Sequence, residues 1–449
     1  MRASSARHKG GTMDTKSLSV EDRAALVCYW LCQRNEQNQY YRPFELKRLI
    51  DDPDLQDHDL SRLIKKGKEL NYFEQINHLK MGESVRRKVE SIFFKIAELE
   101  SELRRIAPGL KSVSVATAAE TDPLTNDQDW DASCEAFGHN AAVPILMPLL
   151  SKTSNLGLGM GRTIAACING IVDAVEKNRP NQERWHTTAF PMWGGVYQET
   201  IDRSNTLSSL TIGASASALA ERLNRTVNPD VATDSIHGVP SFLPMSWEKV
   251  EAGRKQSRRS RFLEDLSAFT AYEKIFGLDV KTGTSTTKPL IEEMDACLVT
   301  MGSIHHPTRF YKGDSFYTFV QDKNFQKLFK EHCVGDIGGQ FVARFYSDEK
   351  KNRAAAKFIR TMEKAYTCVT INHLKSLAKA AMHDTSKTGV IAVVHGSVRA
   401  ETVLHVLNQK EPLVSHLCLD HHLARTILDI IKTNKLKSNR RVKNDTAKG

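Results

Sequence analysis

The sequence of 449 residues lacks any apolar run long enough to cross a bilayer. The longest run, AAVPILMPLL at residues 141–150, contains two prolines, whereas a membrane-spanning helix needs roughly 20 apolar residues. The first residues, MRASSARHKGG, also lack the apolar segment of a secretory signal. We therefore expect a protein of the cytoplasm that has no membrane partner.

Cysteine pairs with metal-binding or redox spacing are also absent. The 8 cysteines are scattered singly, apart from Cys28 and Cys32 on one face of a predicted helix. No C-x-x-C pair accompanies them, so buried reduced thiols are favoured over zinc or disulfides. The paired histidines at 305–306 and 421–422 lack an adjacent acid or thiol cluster. We expect neither a metal nor a cofactor.

Acidic charge does not balance the basic charge, and the formal net charge is +10. Residues 432–449 are strongly basic, and we expect them, like residues 1–17, to be disordered tails. A basic excess is typical of proteins with polyanionic partners. A solvated basic tail that aids solubility explains the charge equally well.

Residues 18–80 have the dimensions of a helix-turn-helix domain. RPFELKRLI predicts a short helix entered through Pro43, DDPD a turn, and LQDHDLSRLIKKGKEL a second helix. The second helix would read DNA, although the acids in DDPDLQDHD would repel phosphates, and such units also serve as protein-docking modules. The candidate DNA contacts lie on its polar side: His58, Ser61, Arg62, Lys65 and Lys66.

A charged helix is predicted over 83–106, within a linker at 81–108. Its apolar residues recur at alternating spacings of four and three, from Val85 to Ile106. This pattern is typical of a short dimerising coil or a lever between domains. A helix packed on the body of its own subunit has the same pattern.

From residue 109 to 431, strand-like apolar runs alternate with helical segments. The runs KSVSVAT, DACLVTMGS, TGVIAVVHGS and VSHLCLD predict strands, and most of them end in Gly or Ser. The alternation predicts an α/β fold, with a mainly parallel sheet flanked by helices, after an N-terminal all-α helix-turn-helix domain. Ligands of such sheets bind at the carboxyl ends of the strands.

The glycine-rich segment NLGLGMGRT, at residues 155–163, joins one of these strands to a helix. It has no Walker A lysine, and its G-x-G-x-G spacing differs from the dinucleotide fingerprint. Gly159 and Gly161 would let an anion approach the helix N-terminus, where Arg162 and Thr163 add donors. A tight strand-to-helix turn is the plain alternative. Arg162 would bind either a ligand or a neighbouring carboxylate.

Several of these segments together resemble the sugar-binding domain of SorC-type (DeoR/SorC-like) bacterial transcription regulators. The matching pieces span about 320 residues in the family's order: NLGLGMGRT, WGGVYQE with Asn205 shortly after it, GVPSFLP, DACLVTMGS, VGDIGGQF, VVHGSVRAETVLHVL and LCLDHHLARTIL. The resemblance implies a fold similar to sugar-phosphate isomerases and CoA transferases. LSRLIKKGKELNYFEQI looks like the family's reading helix and wing strand, which implies a double-stranded DNA operator as partner.

The resemblance also implies a site for a phosphorylated sugar effector. Asp336, which we place in a turn between glycines, would take sugar hydroxyls, and Arg399 would hold an anionic group where the family often has lysine. The full predicted effector site is Gly159, Gly161, Arg162, Thr163, Gly194, Gly195, Asn205, Asp336, Arg399 and Asp420. LDHH stands where the family more often has Thr-Asp-Glu, so the sequence departs from the family's pattern at this turn.

The predicted function is that of an effector-responsive transcription regulator, a homo-oligomer (dimer or tetramer) and not an enzyme. One alternative is a sugar-phosphate isomerase or deaminase on the same fold. Asp336, His395, Asp420 and His421 could supply its acid and base groups. Another alternative is a protein-interaction module built on a degenerate sugar domain.

Overall fold

The computed structural model divides the chain into two compact units, Met1–Glu98 and Leu99–Gly449. It describes residues 18–32, 46, 55, 57–70, 72–75, 79–81, 89, 94–119, 122, 127–177, 185–194, 215–236, 239–241, 243, 250, 256–277, 288–304 and 323–446. The predicted domain boundaries remain predictions, and residues 1–17 and the paired histidines at 305–306 lie outside the described residues.

The described part of the first unit contains helices α1 (Val20–Cys32) and α2 (Asp57–Glu69). The apolar residues Leu60 and Leu63 of α2 are buried in one cluster with the middle of α1. Gly67 allows this close packing, because a Cβ there would lie 2.2 Å from the Cys28 sulfur. Burial raises the pKa of the Cys28 thiol to about 12, as expected for an inert core cysteine.

A β-hairpin follows α2, so the first unit is not all-α as predicted. Strands β1 (Phe73–Gln75) and β2 (Leu79–Met81) pair antiparallel, with Phe73 opposite Met81. Strands of three residues are too short for alternating hydrophobicity to reveal them. Only the wing strand implied by the family resemblance pointed to this hairpin. The predicted helix RPFELKRLI lies outside the described residues, except for Leu46.

The second unit is built on a six-stranded sheet in the order β3-β11-β10-β6-β4-β5. Every pairing in it is parallel, as predicted from the alternation of strands and helices. Its strands are β3 (Ser112–Ala116), β4 (Asn155–Leu158), β5 (Thr188–Pro191), β6 (Ala296–Val299), β10 (Gly389–Val394) and β11 (His416–Asp420). All six carboxyl ends therefore lie at one edge of the sheet.

Helices cover the sheet and bury its apolar side chains. The predicted apolar face of the helix after NLGLGMGRT is buried, with Ile164, Ile168 and Ile171 fully inaccessible to solvent. The described helices of this unit are α3 (Ile96–Ile106, which begins in the first unit), α4 (Asp127–Ala141, continued by a π-turn at Ala142–Leu146), α5 (Met147–Leu150), α6 (Arg162–Lys177), α7 (Ala216–Val227), α8 (Arg258–Ser267), α9 (Thr270–Phe276), α10 (Lys323–His332), α11 (Glu349–Glu363), α12 (Ile371–His383), a 3₁₀ turn at Ser397–Arg399, α13 (Ala400–Leu407) and α14 (His421–Thr446).

A second, antiparallel sheet corrects two sequence predictions. It consists of β7 (Met301–Ser303), β8 (Cys333–Ile337) and β9 (Gln340–Ala343). DACLVTMGS is therefore two strands in different sheets, because the chain leaves β6 at Thr300. Asp336 lies within β8 rather than in a turn, and the turn falls on the next two glycines, whose φ angles are positive.

The predicted helix over 83–106 is interrupted at Lys95. Lys95 has a φ of 53° and lies in a turn, and the described helix α3 begins only at Ile96. The part of α3 in the second unit packs along the edge strand β3. Glu100 accepts a hydrogen bond from the Val115 N–H at 2.8 Å, and Arg104 donates to the Val113 carbonyl at 3.3 Å. These bonds occupy backbone groups on the outer edge of β3. Leu99 and Leu103 of the same helix are buried, so these members of the apolar repeat serve packing within the chain.

Helix α14 continues to Thr446, whereas the sequence predicts a disordered tail from residue 432. Lysine and arginine have good helix propensity, so they can extend a helix that starts in the core, at the end of β11. Within the described ranges, no helix combines the length and apolar character needed to cross a bilayer.

Candidate functional site

The candidate site lies where the central strands β4, β6 and β10 end. β4 leads through the glycine loop into α6, β6 ends at Thr300, and β10 leads through His395 and Gly396 into the 3₁₀ turn that carries Arg399. The first turns of α4, at Trp130, lie against this edge. A ligand of a parallel sheet is expected at this position.

Arg399 is a buried cation at the centre of the site, with 6 % of its surface exposed. Its Nη1 donates to the His395 carbonyl, and its guanidinium carbon lies 4.4 Å from the centroid of the Trp130 ring. Among the described residues, Nε has no hydrogen-bond partner and no carboxylate forms an ion pair with the guanidinium. Burial lowers the pKa of Arg399 to about 10, so the group stays charged at neutral pH.

His395 lies beside Arg399 as a neutral, buried imidazole. Its Nε2 is 2.9 Å from the Ser133 hydroxyl oxygen, and its ring packs against Trp130 and Phe137. Its Nδ1 has no hydrogen-bond partner among the described residues. Burial, and then the Arg399 charge, hold the pKa of His395 well below its usual range. The imidazole can therefore give or accept one hydrogen bond without adding charge.

Thr300 is a site residue that the sequence predictions missed. Its buried hydroxyl oxygen has no hydrogen-bond partner in the described part of the chain. Its methyl group lies 3.7 Å from where a Cβ on Gly161 would be, so it adjoins the glycine loop. Three buried polar atoms therefore lack partners at neighbouring strand ends: Thr300 Oγ1, His395 Nδ1 and Arg399 Nε. Unpaired buried polar atoms are rare, and a ligand that occupies them would remove their cost.

The glycine loop brings the helix N-terminus of α6 to the site. Gly161 has a φ of +119°, which other residues rarely adopt, and its carbonyl accepts the Ala165 N–H to begin α6. Gly159 donates its N–H to the Leu298 carbonyl, so that group is occupied within the sheet. Thr163 is buried and contacts the Cys134 sulfur. The free N–H groups of a helix N-terminus favour an anion here.

Arg162 forms an ion pair with a neighbouring carboxylate, one of the two partners that the sequence left open. Its Nη1 lies 2.8 Å from Oδ1 of Asp131 on α4, and both side chains are largely buried. Its guanidinium carbon lies 5.9 Å from the Trp130 ring centroid, so Trp130 is bordered by both Arg162 and Arg399. α4 thus holds both arginines, although nothing in its sequence resembled a binding motif.

Asp420 organises the site through backbone groups. It is fully buried at the end of β11, and its oxygens accept the N–H groups of Gly396, His422 and Leu423. Two of these bonds cap α14, and the third fixes the loop before Arg399. Burial raises the pKa of the Asp420 carboxyl, while the backbone hydrogen bonds act in the opposite direction. The contacts described give Asp420 a role in holding the loop, and the predicted contact with sugar remains a prediction.

Asp336 approaches the same edge from the antiparallel sheet. One of its oxygens accepts the Gly339 N–H at 3.0 Å. The other oxygen would lie 2.1 Å from a Cβ at position 302, so only glycine fits at that position. Its charge acts on Arg399, which places the two side chains in one electrostatic neighbourhood. Asp336 could accept hydrogen bonds from the hydroxyl groups of a ligand.

Of the remaining predicted site residues, the structure describes Gly194, and no described contact joins it to this cluster. Gly194 has a packing role, because a Cβ there would lie 1.9 Å from the Val239 carbonyl oxygen. Gly195 and Asn205 lie outside the described residues. His421 and His422 begin α14 with their ring centroids 3.9 Å apart, and the described residues contain no cluster suited to a metal ion.

The candidate DNA-binding face is the exposed side of α2 in the first unit. Ser61, Arg62 and Lys65 are exposed, and Lys66 is half-buried. His58 lies in the first turn of the helix, but its side chain lies outside the described residues. Since Leu60 and Leu63 face the core, the exposed Arg62 and Lys65 lie on the opposite side of the helix, and the half-buried Lys66 lies at the border of that side.

Comparisons with known proteins yield structural neighbours only. No protein-family model matches the chain, and no curated protein sequence matches it. Among solved structures, the full-length sorbitol operon regulator SorC from Klebsiella pneumoniae is similar over 92 % of this chain and 100 % of its own, with 15 % identity and a TM-score of 0.48. A DeoR family transcriptional regulator from Listeria monocytogenes is similar over 74 % of this chain and 99 % of its own, with 14 % identity and a TM-score of 0.47. A transcriptional regulator from Streptococcus pneumoniae is similar over 75 % of this chain and 98 % of its own, with 13 % identity and a TM-score of 0.47. At these scores the functional inference rests on the residues of the site.

Proposed function

We propose that the protein is a transcription regulator whose second unit binds a phosphorylated sugar and whose first unit binds duplex DNA. The resemblance of the sequence to SorC-type regulators suggests this combination. The effector, by binding one state of the protein more tightly than another, shifts DNA affinity by that difference.

The observation that carries the proposal is the buried, charged Arg399 with an unpartnered Nε. Its Nη1 is engaged by the His395 carbonyl, and one face of the guanidinium is covered by Trp130. The edge formed by Nε and Nη2 therefore remains for an anion, and this edge pairs bidentately with two oxygens of a phosphate. A buried cation without an ion-pair partner is costly, so a ligand anion explains its presence better than packing does.

The neighbouring groups supply the polar contacts that a sugar needs. Thr300 Oγ1 and His395 Nδ1 are buried without partners, and Asp336 offers carboxylate oxygens. Hydroxyl groups both donate and accept hydrogen bonds, so a polyhydroxyl ligand can pair with a hydroxyl, an imidazole nitrogen and a carboxylate alike. The N-terminus of α6 adds its dipole to the phosphate site.

The DNA-binding part of the proposal rests on α2 and the hairpin that follows it. An exposed basic helix face that is followed by a two-stranded hairpin suits insertion into a major groove with flanking phosphate contacts. We propose a homo-oligomer, since two-fold operators are read by paired subunits.

The test is to select duplexes that the full-length chain binds from a randomised DNA library, and then to titrate them with and without sugar phosphates. We expect enrichment of one sequence motif, and a change in its affinity of at least 5-fold with one or more sugar phosphates, which is about 1 kcal/mol of coupling. Failure to enrich any motif would contradict DNA reading. Enrichment that no sugar phosphate alters would contradict effector control.

A further inference from the structure

The ion pair between Arg162 and Asp131 reduces the positive charge that the site offers to a ligand. Both side chains are about five-sixths buried, and the 2.8 Å contact joins the first turn of α6 to the first turns of α4. An ion pair so shielded from water is screened little, so the carboxylate largely cancels the charge of Arg162.

The other charged side chains described at this edge of the sheet include Asp420, Arg399 and Asp336. Asp420 accepts three backbone N–H groups, two of them at the N-terminus of α14. Arg399 keeps an unpartnered Nε, and Asp336 has oxygens suited to hydroxyl groups. Of the two guanidinium groups that border the Trp130 ring, only that of Arg399 lacks an ion-pair partner among the described residues.

We propose that Asp131 is a specificity-determining residue that limits the effector to one anionic group, by keeping Arg162 neutralised. This inference rests on the proposed anion site at Arg399 and specifies its ligand class as a polyhydroxyl compound with a single phosphate. A second phosphate would have to separate Arg162 from Asp131, and it would then lie beside an uncompensated carboxylate. Arg162 acts as a positioning residue, which braces α4 and Trp130 against the glycine loop.

The test compares inorganic phosphate with pyrophosphate as probes, because neither depends on the identity of the sugar. Binding to the full-length chain is measured by isothermal titration calorimetry in wild type, D131N, R162M, R399Q and the double variant D131N/R162M. D129N is the matched control, since Asp129 is an exposed acid on the same helix. Circular dichroism and melting temperature report whether each variant is folded.

For D131N we expect a gain in pyrophosphate affinity of at least 10-fold and a change in phosphate affinity of less than 3-fold. The double variant should lose that gain, and D129N should bind both probes as the wild type does. R399Q should weaken phosphate binding at least 30-fold, and R162M should weaken it less than 5-fold.

Three outcomes would overturn the inference and leave the anion site at Arg399 intact. The first is a D131N variant that gains no affinity for pyrophosphate. The second is a loss of phosphate affinity in R162M as large as that in R399Q, which would make Arg162 a direct ligand. The third is an equal gain in D131N and D129N, which would reduce the effect to overall charge. If the wild type binds neither probe, the proposed anion site itself fails, and this inference fails with it.

Discussion

Replacing Asp420 by asparagine keeps the shape of the side chain but changes one acceptor into a donor. In the wild type, one carboxylate oxygen accepts the N–H groups of His422 and Leu423, and the other accepts the N–H of Gly396. Asparagine can keep the first oxygen as a helix cap, since Asn and Asp cap helices equally well. Its amide nitrogen then faces the Gly396 N–H, so that a buried donor meets another donor.

The loss of stability in this variant follows from the loss of the hydrogen bond between the Gly396 N–H and Asp420. A hydrogen bond to a charged group contributes about 1.5–3 kcal/mol, and an unpaired buried N–H costs about 1–3 kcal/mol. We expect D420N to lower the free energy of unfolding of the second unit by about 2–4 kcal/mol. At roughly 2 °C per kcal/mol for a large domain, the melting temperature should fall by about 4–8 °C. Phosphate affinity should fall as well, because the Gly396 loop carries Arg399.

The matched control is D348N. Asp348 caps α11 by accepting the N–H groups of Lys350 and Lys351, but it is exposed and has no third backbone donor. Its replacement should cost less than about 0.5 kcal/mol. Urea denaturation of both variants, with phosphate titration alongside, checks the reasoning. If D420N is no more destabilising than D348N, Asp420 does not hold the loop.

Three further predictions concern other parts of the chain. The double variant K65A/K66A should weaken DNA binding and reduce the slope of log affinity against log salt concentration by about two, whereas K379A in the second unit should change neither. E100A should accelerate hydrogen exchange of the Val115 amide by at least 10-fold, because Glu100 accepts a hydrogen bond from that N–H. Replacing the exposed Glu98 by alanine should leave the exchange rate of the Val115 amide unchanged. Burial lowers the pKa of His416 to about 4, so the unfolded chain binds a proton at this histidine more readily than the folded chain does. The free energy of unfolding should therefore fall as the pH drops from about 6.5 towards 4. In acid denaturation, H416Q should flatten that decline, whereas H383Q, at an exposed histidine, should not.

Periodic segments allowed much of the second unit to be predicted from the sequence. The four runs that contain β3, β6, β10 and β11 are short and rich in apolar residues, and each was predicted as a strand. Two of the errors occur where backbone geometry depends on a single residue. Lys95 adopts a positive φ inside an otherwise helical pattern, and Thr300 turns the chain from one sheet into another.

The site was only partly predictable, for a physical reason. Arg399 and the glycine loop lie at turns after strands, and the sequence marks such turns with Gly and Ser. Trp130, Asp131 and Ser133 lie inside a helix with no binding motif, about 30 residues before the glycine loop and more than 260 residues before Arg399. Only the packing of α4 against the strand ends brings them together, and an ion pair such as that of Arg162 with Asp131 leaves no periodic pattern.

The central claim is that Arg399 holds the anionic group of a sugar effector. The most direct measurement is isothermal titration calorimetry of the full-length chain with a panel of sugar monophosphates, each beside its unphosphorylated sugar, in wild type and R399Q. The account predicts that at least one sugar phosphate binds the wild type with micromolar affinity and its unphosphorylated sugar at least 100-fold more weakly. It also predicts that R399Q removes this difference. Equal binding of the two forms, or an R399Q variant that binds the phosphate as the wild type does, would contradict it.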